Sequence, residues 1–390
     1  MTRHKKRKIF SIFKCCTMLI LPLSAAAAAK NATNISGLIE KAEKINLGKN
    51  QEESISSANY VNQPSYNVDF SEDYEDIFNE EYIISEGYGI SDEVEEISPT
   101  ETISPIDAVS NNPGAKPYPS ETEWIAGGGI VRTTYGEFSG NTYFNLEKCG
   151  QVNNQTTVPN ETILAESNYF PDFVLSDTSE PQVLIYHTHT TESFEPYVRD
   201  FCDSVFNYRT TDETKNVVMV GNEIQKQLEQ SGIGVIHATD IHDYPSYNGS
   251  YARSRETITK ILEENPSIKV VLDIHRDAIS RDGAAYQPIV NINGKDAAQI
   301  MIISGCDDGT MDMPNYMKNF RFAAYLQQQL EGDNPGLTRP ILFDYRKYNQ
   351  DLTTGSLLIE IGSHGNTLEQ VQYSGQLFGA SLAKSLTALQ

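Results

Sequence analysis

The chain has 390 residues, and its 30 Lys and Arg against 53 Asp and Glu give a formal net charge of -23. This acidity excludes nucleic acid as a partner, because phosphate binding requires a basic surface. Hydrophobic residues make up 39% of the chain, which is below the usual globular share and predicts that part of the chain does not pack. The length permits two or three domains.

The N-terminus has the pattern of a membrane-targeting segment. Residues 1–8 read MTRHKKRK, and an apolar run over residues 9–29 follows, interrupted only by Lys14. Basic residues before an apolar run stay in the cytoplasm, so we expect a single-pass protein whose remaining residues lie outside the cell membrane. The uninterrupted part, residues 15–29, is short for a span of about 20 residues. Residues 1–29 are therefore either a retained anchor or a cleaved signal.

A long acidic segment follows. Residues 51–110 hold 16 Asp or Glu and no Lys or Arg, and no helical or strand period persists there. Because like charges repel and little apolar surface can be buried, we expect residues 30–118 to be an extended, disordered linker. Its expected role is that of a spacer, with partner docking near residues 82–88 as the alternative. Apolar runs become regular beyond it, which predicts one folded domain over residues 119–390.

Within this domain, short apolar runs alternate with amphipathic segments. The predicted strands cover 182–187, 234–238, 269–275 and 356–363, with a hairpin over 287–304 that turns at Asn293-Gly294. The predicted helices cover 213–230, 251–264, 315–330 and 367–389. Strands that alternate with helices predict a single layered α/β domain with a mainly parallel sheet flanked by helices.

Polar clusters follow three of the predicted strands, at residues 187–193, 273–277 and 360–364. Ligands of such sheets bind beyond the carboxyl ends of the strands, so we expect these clusters to converge. They contain the four histidines His187, His189, His275 and His364, and each cluster carries a candidate carboxylate, namely Glu192, Asp273 and Glu360. Two imidazoles and one carboxylate are the protein ligands of many catalytic zinc sites, and a further carboxylate is then needed to move a proton.

Spacing alone leaves the choice of ligands open. His187 and His189 are two residues apart, so a regular strand would direct both to one face. Either both bind the metal, or one binds it and the other orients that ligand without touching the metal. The alternative for any single histidine is that it only caps a strand end by bonding to the backbone.

Three segments contain most of the candidate residues: VLIYHTHTTESF at 183–194, VVLDIHRDA at 270–278 and LLIEIGSHGNTLE at 357–369. In this order they resemble the stage II sporulation protein P family, a branch of the zinc-dependent N-acetylmuramoyl-L-alanine amidases. The resemblance covers residues 120–390 or so, and the basic-apolar N-terminus with its variable linker also looks like the family. It implies an amidase-like fold and Zn²⁺ as the cofactor.

The resemblance also implies roles for individual residues. His189, Glu192 and His275 are the expected zinc ligands, and Glu360 matches the catalytic glutamate of the amidases. Glu192 follows His189 by only three residues, a shorter separation than in ordinary amidases. Glu195 is therefore the alternative carboxylate ligand.

Neighbouring residues are candidates for supporting the ligands or contacting substrate, namely His187, Asp273 and Arg276. The Arg276 side chain could reach a muramyl-peptide carboxylate or pair with Asp277 as a strut within the loop. The segment at 243–256 is rich in Tyr and Ser, which suits contact with a sugar but equally suits a well-bonded loop before a helix.

The function that the resemblance implies is peptidoglycan hydrolysis at the amide between N-acetylmuramic acid and L-alanine. It adds an endopeptidase action on peptide cross-links, degradation of the septal wall during engulfment, and stage II sporulation proteins D and M as partners. The alternatives are a non-catalytic scaffold that binds the cell wall and a zinc peptidase that acts on protein. A scaffold need not keep the complete set of ligands together with Glu360.

Overall fold

The computed structural model describes residues 126–176, 180–204 and 206–390. The predicted membrane segment at 1–29 and the predicted linker at 30–118 lie outside these residues, so both remain predictions. Among the residues that are described, no helix is both long and apolar enough to cross a bilayer.

The described part of the chain contains two sheets and five helices. The strands are β1 (Ala126–Thr133), β2 (Tyr143–Asn145), β3 (Gln151–Asn154), β4 (Pro181–Tyr186), β5 (Phe201–Asp203), β6 (Gly234–His237), β7 (Val270–Asp277), β8 (Ser280–Arg281), β9 (Ala284–Ile292), β10 (Lys295–Ala298), β11 (Ile300–Gly305), β12 (Ile341–Asp344) and β13 (Gly355–Ser363). The helices are α1 (Asn160–Glu166), α2 (Val217–Gln230), α3 (Ser250–Glu264), α4 (Tyr316–Asp333) and α5 (Leu368–Thr387).

The larger sheet has eight strands in the order β2-β3-β12-β11-β13-β7-β4-β6. Strands β6, β4, β7 and β13 are parallel to one another, as expected for strands joined through helices. Strand β11 is antiparallel to β13, whereas β12 and β3 continue parallel to β11. The predicted α/β class is therefore confirmed, but the sheet is mixed. Two parallel blocks run in opposite directions, and β2 at the edge is antiparallel to β3.

A second, smaller sheet has the order β10-β9-β1-β5, with β8 beside β9. The turn predicted at Asn293-Gly294 is present, with φ of 51° and 83°, the left-handed values that a tight two-residue hairpin turn requires. The single hairpin predicted over 287–304 is nevertheless wrong beyond Ala298. There the chain leaves the smaller sheet and enters the larger one as β11, a change that the apolar pattern does not reveal.

The main core lies between one face of the larger sheet and helices α2, α4 and α5. Phe320, Phe378, Ile224 and Ile359 are fully buried there, and the burial of each such side chain contributes about 1.5–3 kcal/mol. On the opposite face, α3 packs Ile258 against β4 and β7. Different helices therefore pack on the two faces of the larger sheet.

Strand alternation decides which side chains leave the main core. In β7, Leu272 and Ile274 belong to that core, so Asp273 and His275 point to the other face. Glu360 of β13 pairs directly with His275 across the two parallel strands. The backbone register thus places Glu360 beside His275 near the carboxyl ends of these strands.

Candidate active site

The three predicted zinc ligands lie together at the carboxyl edge of the larger sheet. His275 belongs to β7, whereas His189 and Glu192 belong to the loop that follows β4. The Nδ1 atom of His275 is 3.5 Å from Oε2 of Glu192. The rings of His189 and His275 are perpendicular, with centroids 5.2 Å apart. All three residues are buried.

Each histidine of this cluster has one ring nitrogen beside a buried polar neighbour. Nε2 of His275 is 2.8 Å from Oδ1 of Asp273, and Asp273 also accepts hydrogen bonds from the backbone and the hydroxyl of Thr188, at 2.8 and 2.7 Å. Nδ1 of His189 is 3.4 Å from the Ser250 hydroxyl. Such neighbours orient the imidazoles of metal-binding histidines and fix which nitrogen keeps its lone pair.

Cationic and hydrogen-bonding groups surround the carboxylate of Glu192. Its Oε2 accepts the backbone N–H of Arg276 at 3.0 Å, and its Oε1 is 3.8 Å from Nη2 of Arg209. Burial alone would raise the pKa of Glu192, but His275, Arg276 and Arg209 outweigh burial and hold that pKa below its ordinary value. Glu192 therefore carries its charge in the folded protein.

Glu195, the alternative ligand, is engaged elsewhere. It accepts hydrogen bonds from the Tyr208 hydroxyl at 2.6 Å and from Nε of Arg199 at 2.7 Å. All of these groups are buried. Of the two carboxylates, Glu192 is the one that faces a histidine of the cluster.

Glu360 is 8% exposed, and its Oε2 has no hydrogen-bond partner within the described residues. Burial, followed by the nearby charge of Asp277, raises the pKa of Glu360 to about 8. The Asp277 carboxylate itself is paired with Arg339, at 2.8 Å. A buried carboxyl with an open oxygen beside His275 has the character of a group that exchanges protons with a bound molecule.

His187 faces a different environment from His189. Its Nδ1 is 2.8 Å from the carbonyl oxygen of Ile274, and its Nε2 is 2.8 Å from Nε2 of His237. Strand β4 ends at Tyr186, so the alternation expected of a regular strand does not extend over residues 187–189. The structure therefore places His187 in a histidine pair, with backbone support, instead of beside His189.

The Arg276 side chain is satisfied by backbone carbonyl groups. It donates to the carbonyls of Ser193, Tyr208 and Asp277, at 3.0, 3.1 and 3.2 Å. The Asp277 carboxylate pairs with Arg339 instead. The sequence left two roles for Arg276, contact with a substrate carboxylate or a strut within the loop. The geometry favours the strut, but Arg276 bonds to carbonyl oxygens and not to the Asp277 carboxylate. Its backbone N–H meanwhile supports the proposed carboxylate ligand.

His364 lies just after β13 and is half-buried. Its Nε2 is 3.3 Å from the Ser280 hydroxyl, and burial lowers the pKa of its imidazole to about 3. Its ring packs against that of Tyr208, with centroids 5.3 Å apart.

Two further residues near the cluster were not among the individual candidates that the sequence offered. The ring of Tyr247 stacks on His189 with centroids 4.6 Å apart and an angle of 12°. The guanidinium of Arg209 lies 4.7 Å from the centre of the Tyr247 ring and pairs with Asp243 at 2.7 Å. The Tyr- and Ser-rich composition of 243–256 marked the segment that contains Tyr247, but nothing marked Arg209.

The family model of stage II sporulation protein P (SpoIIP) matches residues 129–383. The chain belongs to this family. The family prediction made from the three sequence segments is thus confirmed. Stage II sporulation protein P of Bacillus subtilis (strain 168) is 31% identical over 201 residues, which are 49% of this chain and 47% of that relative. The match thus spans about half the length of the curated relative.

The solved structures to which this stage II sporulation protein P family member is similar include two amidases. The N-acetylmuramoyl-L-alanine amidase AmiC2 of Nostoc punctiforme is 11% identical, with coverage of 55% and 97% of the two chains and a TM-score of 0.33. The CwlD amidase from Clostridioides difficile, in complex with the GerS lipoprotein, is 12% identical, with coverage of 53% and 99% and a TM-score of 0.34. The family assignment rests on the sequence match.

Zinc is the cofactor that the family resemblance implies. In the described ranges, no three His, Cys, Asp or Glu side chains are grouped so that they could hold one ion as they stand. The donor chemistry of His189, Glu192 and His275 nevertheless fits the metal. Ligand atoms about 2.0–2.1 Å from a tetrahedral zinc ion lie roughly 3.3 Å apart, close to the 3.5 Å between His275 and Glu192. The open oxygen of buried Glu360 fits a bound water or substrate beside them.

Proposed function

We propose that this protein is a zinc-dependent peptidoglycan hydrolase that cleaves the amide between N-acetylmuramic acid and L-alanine. One observation supports this most directly. In a member of the stage II sporulation protein P family, a buried cluster of His189, Glu192 and His275 lies beside Glu360 on the neighbouring strand. This is the residue set that metal-assisted hydrolysis of an amide requires.

The proposed reaction consumes one water molecule. The bond between the lactyl carbonyl carbon of muramic acid and the alanine nitrogen breaks, and the oxygen of water bonds to that carbon. A proton from the water goes to the nitrogen. The products are a free carboxyl group on muramic acid and a stem peptide with a free amino terminus.

His189, Glu192 and His275 would hold the zinc ion. When bound, Zn²⁺ polarises a carbonyl group and lowers the pKa of a water molecule to about 7. The ionised form of Glu360 would take the proton from the attacking water and return it to the departing nitrogen. Asp273 keeps His275 oriented from behind, and the backbone N–H of Arg276 does the same for Glu192.

The cellular setting is also part of the proposal. Membership of a sporulation protein family supports a role in degrading the septal wall during engulfment, with stage II sporulation proteins D and M as partners. Residues 1–29 would tether the protein to the membrane, with the catalytic domain on the outer side. An endopeptidase action on peptide cross-links is included in the proposal as what the family resemblance implies.

The scaffold alternative is disfavoured on energetic grounds. Burying ionisable groups costs several kcal/mol unless they are paired or bind a ligand. Oε2 of buried Glu360 has no hydrogen-bond partner among the described residues, and a protein that only adheres to the wall gains nothing from keeping such a group buried.

Mass analysis of fragments released from purified peptidoglycan by the full-length protein, with and without Zn²⁺, tests the function. We expect intact stem peptides with a free L-alanine amino terminus, and only when zinc is present. Binding without release would identify a scaffold. Release of peptides from a protein substrate, with peptidoglycan left intact, would identify a zinc peptidase.

A further inference from the structure

The hydroxyl of Tyr247 lies at the edge of the proposed zinc cluster. It is 3.2 Å from Nε2 of His189. The two rings are nearly parallel, at 12°, so the hydroxyl lies over the face of the imidazole. A bond to an imidazole nitrogen lies in the ring plane, because the lone pair points there. The Tyr247 hydroxyl therefore lies outside this in-plane direction and close to any group that Nε2 would hold.

Two groups pack against the Tyr247 ring. His189 stacks on it, and the guanidinium of Arg209 lies 4.7 Å from the ring centre. Arg209 is itself fixed by its pair with Asp243. The ring edge that carries the hydroxyl is therefore the part of Tyr247 through which it can act on a bound molecule.

The Arg253 side chain bridges three carbonyl groups of the loop that contains Tyr247. Arg253, on helix α3, donates to the carbonyls of His242, Ser246 and Asn248, at 2.6, 2.6 and 3.0 Å. Two of these carbonyls belong to the residues immediately before and after Tyr247. A donor whose backbone is fixed on both sides needs little reorganisation when charge develops near it, and such donors stabilise transition states most effectively.

We propose that Tyr247 is a catalytic residue of this site, whose hydroxyl donates a hydrogen bond to the carbonyl oxygen of the substrate amide. Negative charge accumulates on that oxygen as water adds to the carbon, so the hydrogen bond strengthens in the transition state. Tyr247 keeps its proton throughout, and no bond changes beyond those of the hydrolysis. This inference rests on the proposed function and adds to it the group that receives the developing charge.

The Tyr247→Phe variant of the full-length protein tests the proposal, because phenylalanine keeps the stack between His189 and Arg209 and removes only the hydroxyl. On a soluble muramyl peptide, kcat should fall on the order of 100-fold, the usual effect of losing one such donor, and KM should change little. Zinc affinity, measured by competition with a chelator, should stay at the wild-type value. Tyr247→Ala removes the stack and should weaken zinc binding as well.

Tyr244→Phe is the matched control. It removes a hydroxyl from the same loop, one that has no hydrogen-bond partner among the described residues, and its kcat should equal that of the wild type. A Tyr247→Phe variant with wild-type kcat would overturn the inference. Loss of zinc from Tyr247→Phe would also overturn it, because the hydroxyl would then serve to position His189. If the wild-type protein releases no stem peptide, the proposed function fails first and the inference fails with it.

Discussion

The candidate site joins two regions that fix their side chains by different means. His275 and Glu360 lie side by side on β7 and β13, where backbone pairing sets their separation. His189 and Glu192 lie in the loop after β4, where side-chain and backbone hydrogen bonds set their positions, including the bond from the Arg276 N–H. Local substitutions should therefore displace loop residues more readily than strand residues. Zinc affinity should therefore depend on both regions, whereas proton transfer should depend on strands β7 and β13.

The largest effect is expected from removing a ligand from either region. His189→Ala and His275→Ala each remove one of three proposed protein ligands, so zinc content and activity should be lost together. Chelator treatment of the wild type should have the same result, but added Zn²⁺ should restore only the wild type. Zinc quantified by mass spectrometry beside peptidoglycan release checks both. If either variant kept its zinc, that histidine would not be a ligand.

Glu360→Gln should separate the roles within the strand region. Glutamine keeps the size of the side chain but cannot take up a proton, so the rate should fall about 100-fold or more. The variant should bind zinc as the wild type does, because Glu360 is not a proposed ligand. The same two assays apply, and loss of zinc from this variant would contradict the assignment.

Asp273→Asn should have an intermediate effect. Asp273 contacts His275 on the ring nitrogen that faces away from Glu192, and loss of such support lowers metal affinity about 10–100-fold. Activity should recover when zinc is supplied in excess. Chelator competition gives the affinity, and a value equal to that of the wild type would show that Asp273 does not orient a ligand.

The difference between strand and loop residues also explains which parts of the structure could be predicted from the sequence. The predicted strand at 356–363 and the predicted helix at 251–264 agree with β13 and α3 to within one residue, because their apolar periods are strong. His275 and Glu360 could be placed at strand ends for the same reason. Strand β3 was missed because its four residues, QVNN, show no apolar alternation.

The sequence pattern could not predict where the loop side chains lie. The separate environments of His187 and His189 follow from the end of β4 at Tyr186, and no alternation rule applies past that point. Arg209 and Tyr247 approach His189 only through the packing of two loops that are distant in sequence. No local pattern encodes such an encounter.

The smallest effect is expected at His237, the partner of His187. Their Nε2 atoms are 2.8 Å apart, and the other nitrogen of His237 is 3.1 Å from the Asn222 side chain. The pair makes no hydrogen bond to His189 or His275 within the described residues. His237→Asn should therefore change zinc affinity by about threefold or less, the size of effect usual for substitutions that remove no key contact. This variant leaves buried His187 in place, so it opens no cavity at that position. The measurement is chelator competition beside Asp273→Asn. A tenfold loss of affinity in His237→Asn would show that His187 helps to hold the metal, and the loop would then contribute a further histidine to the zinc site.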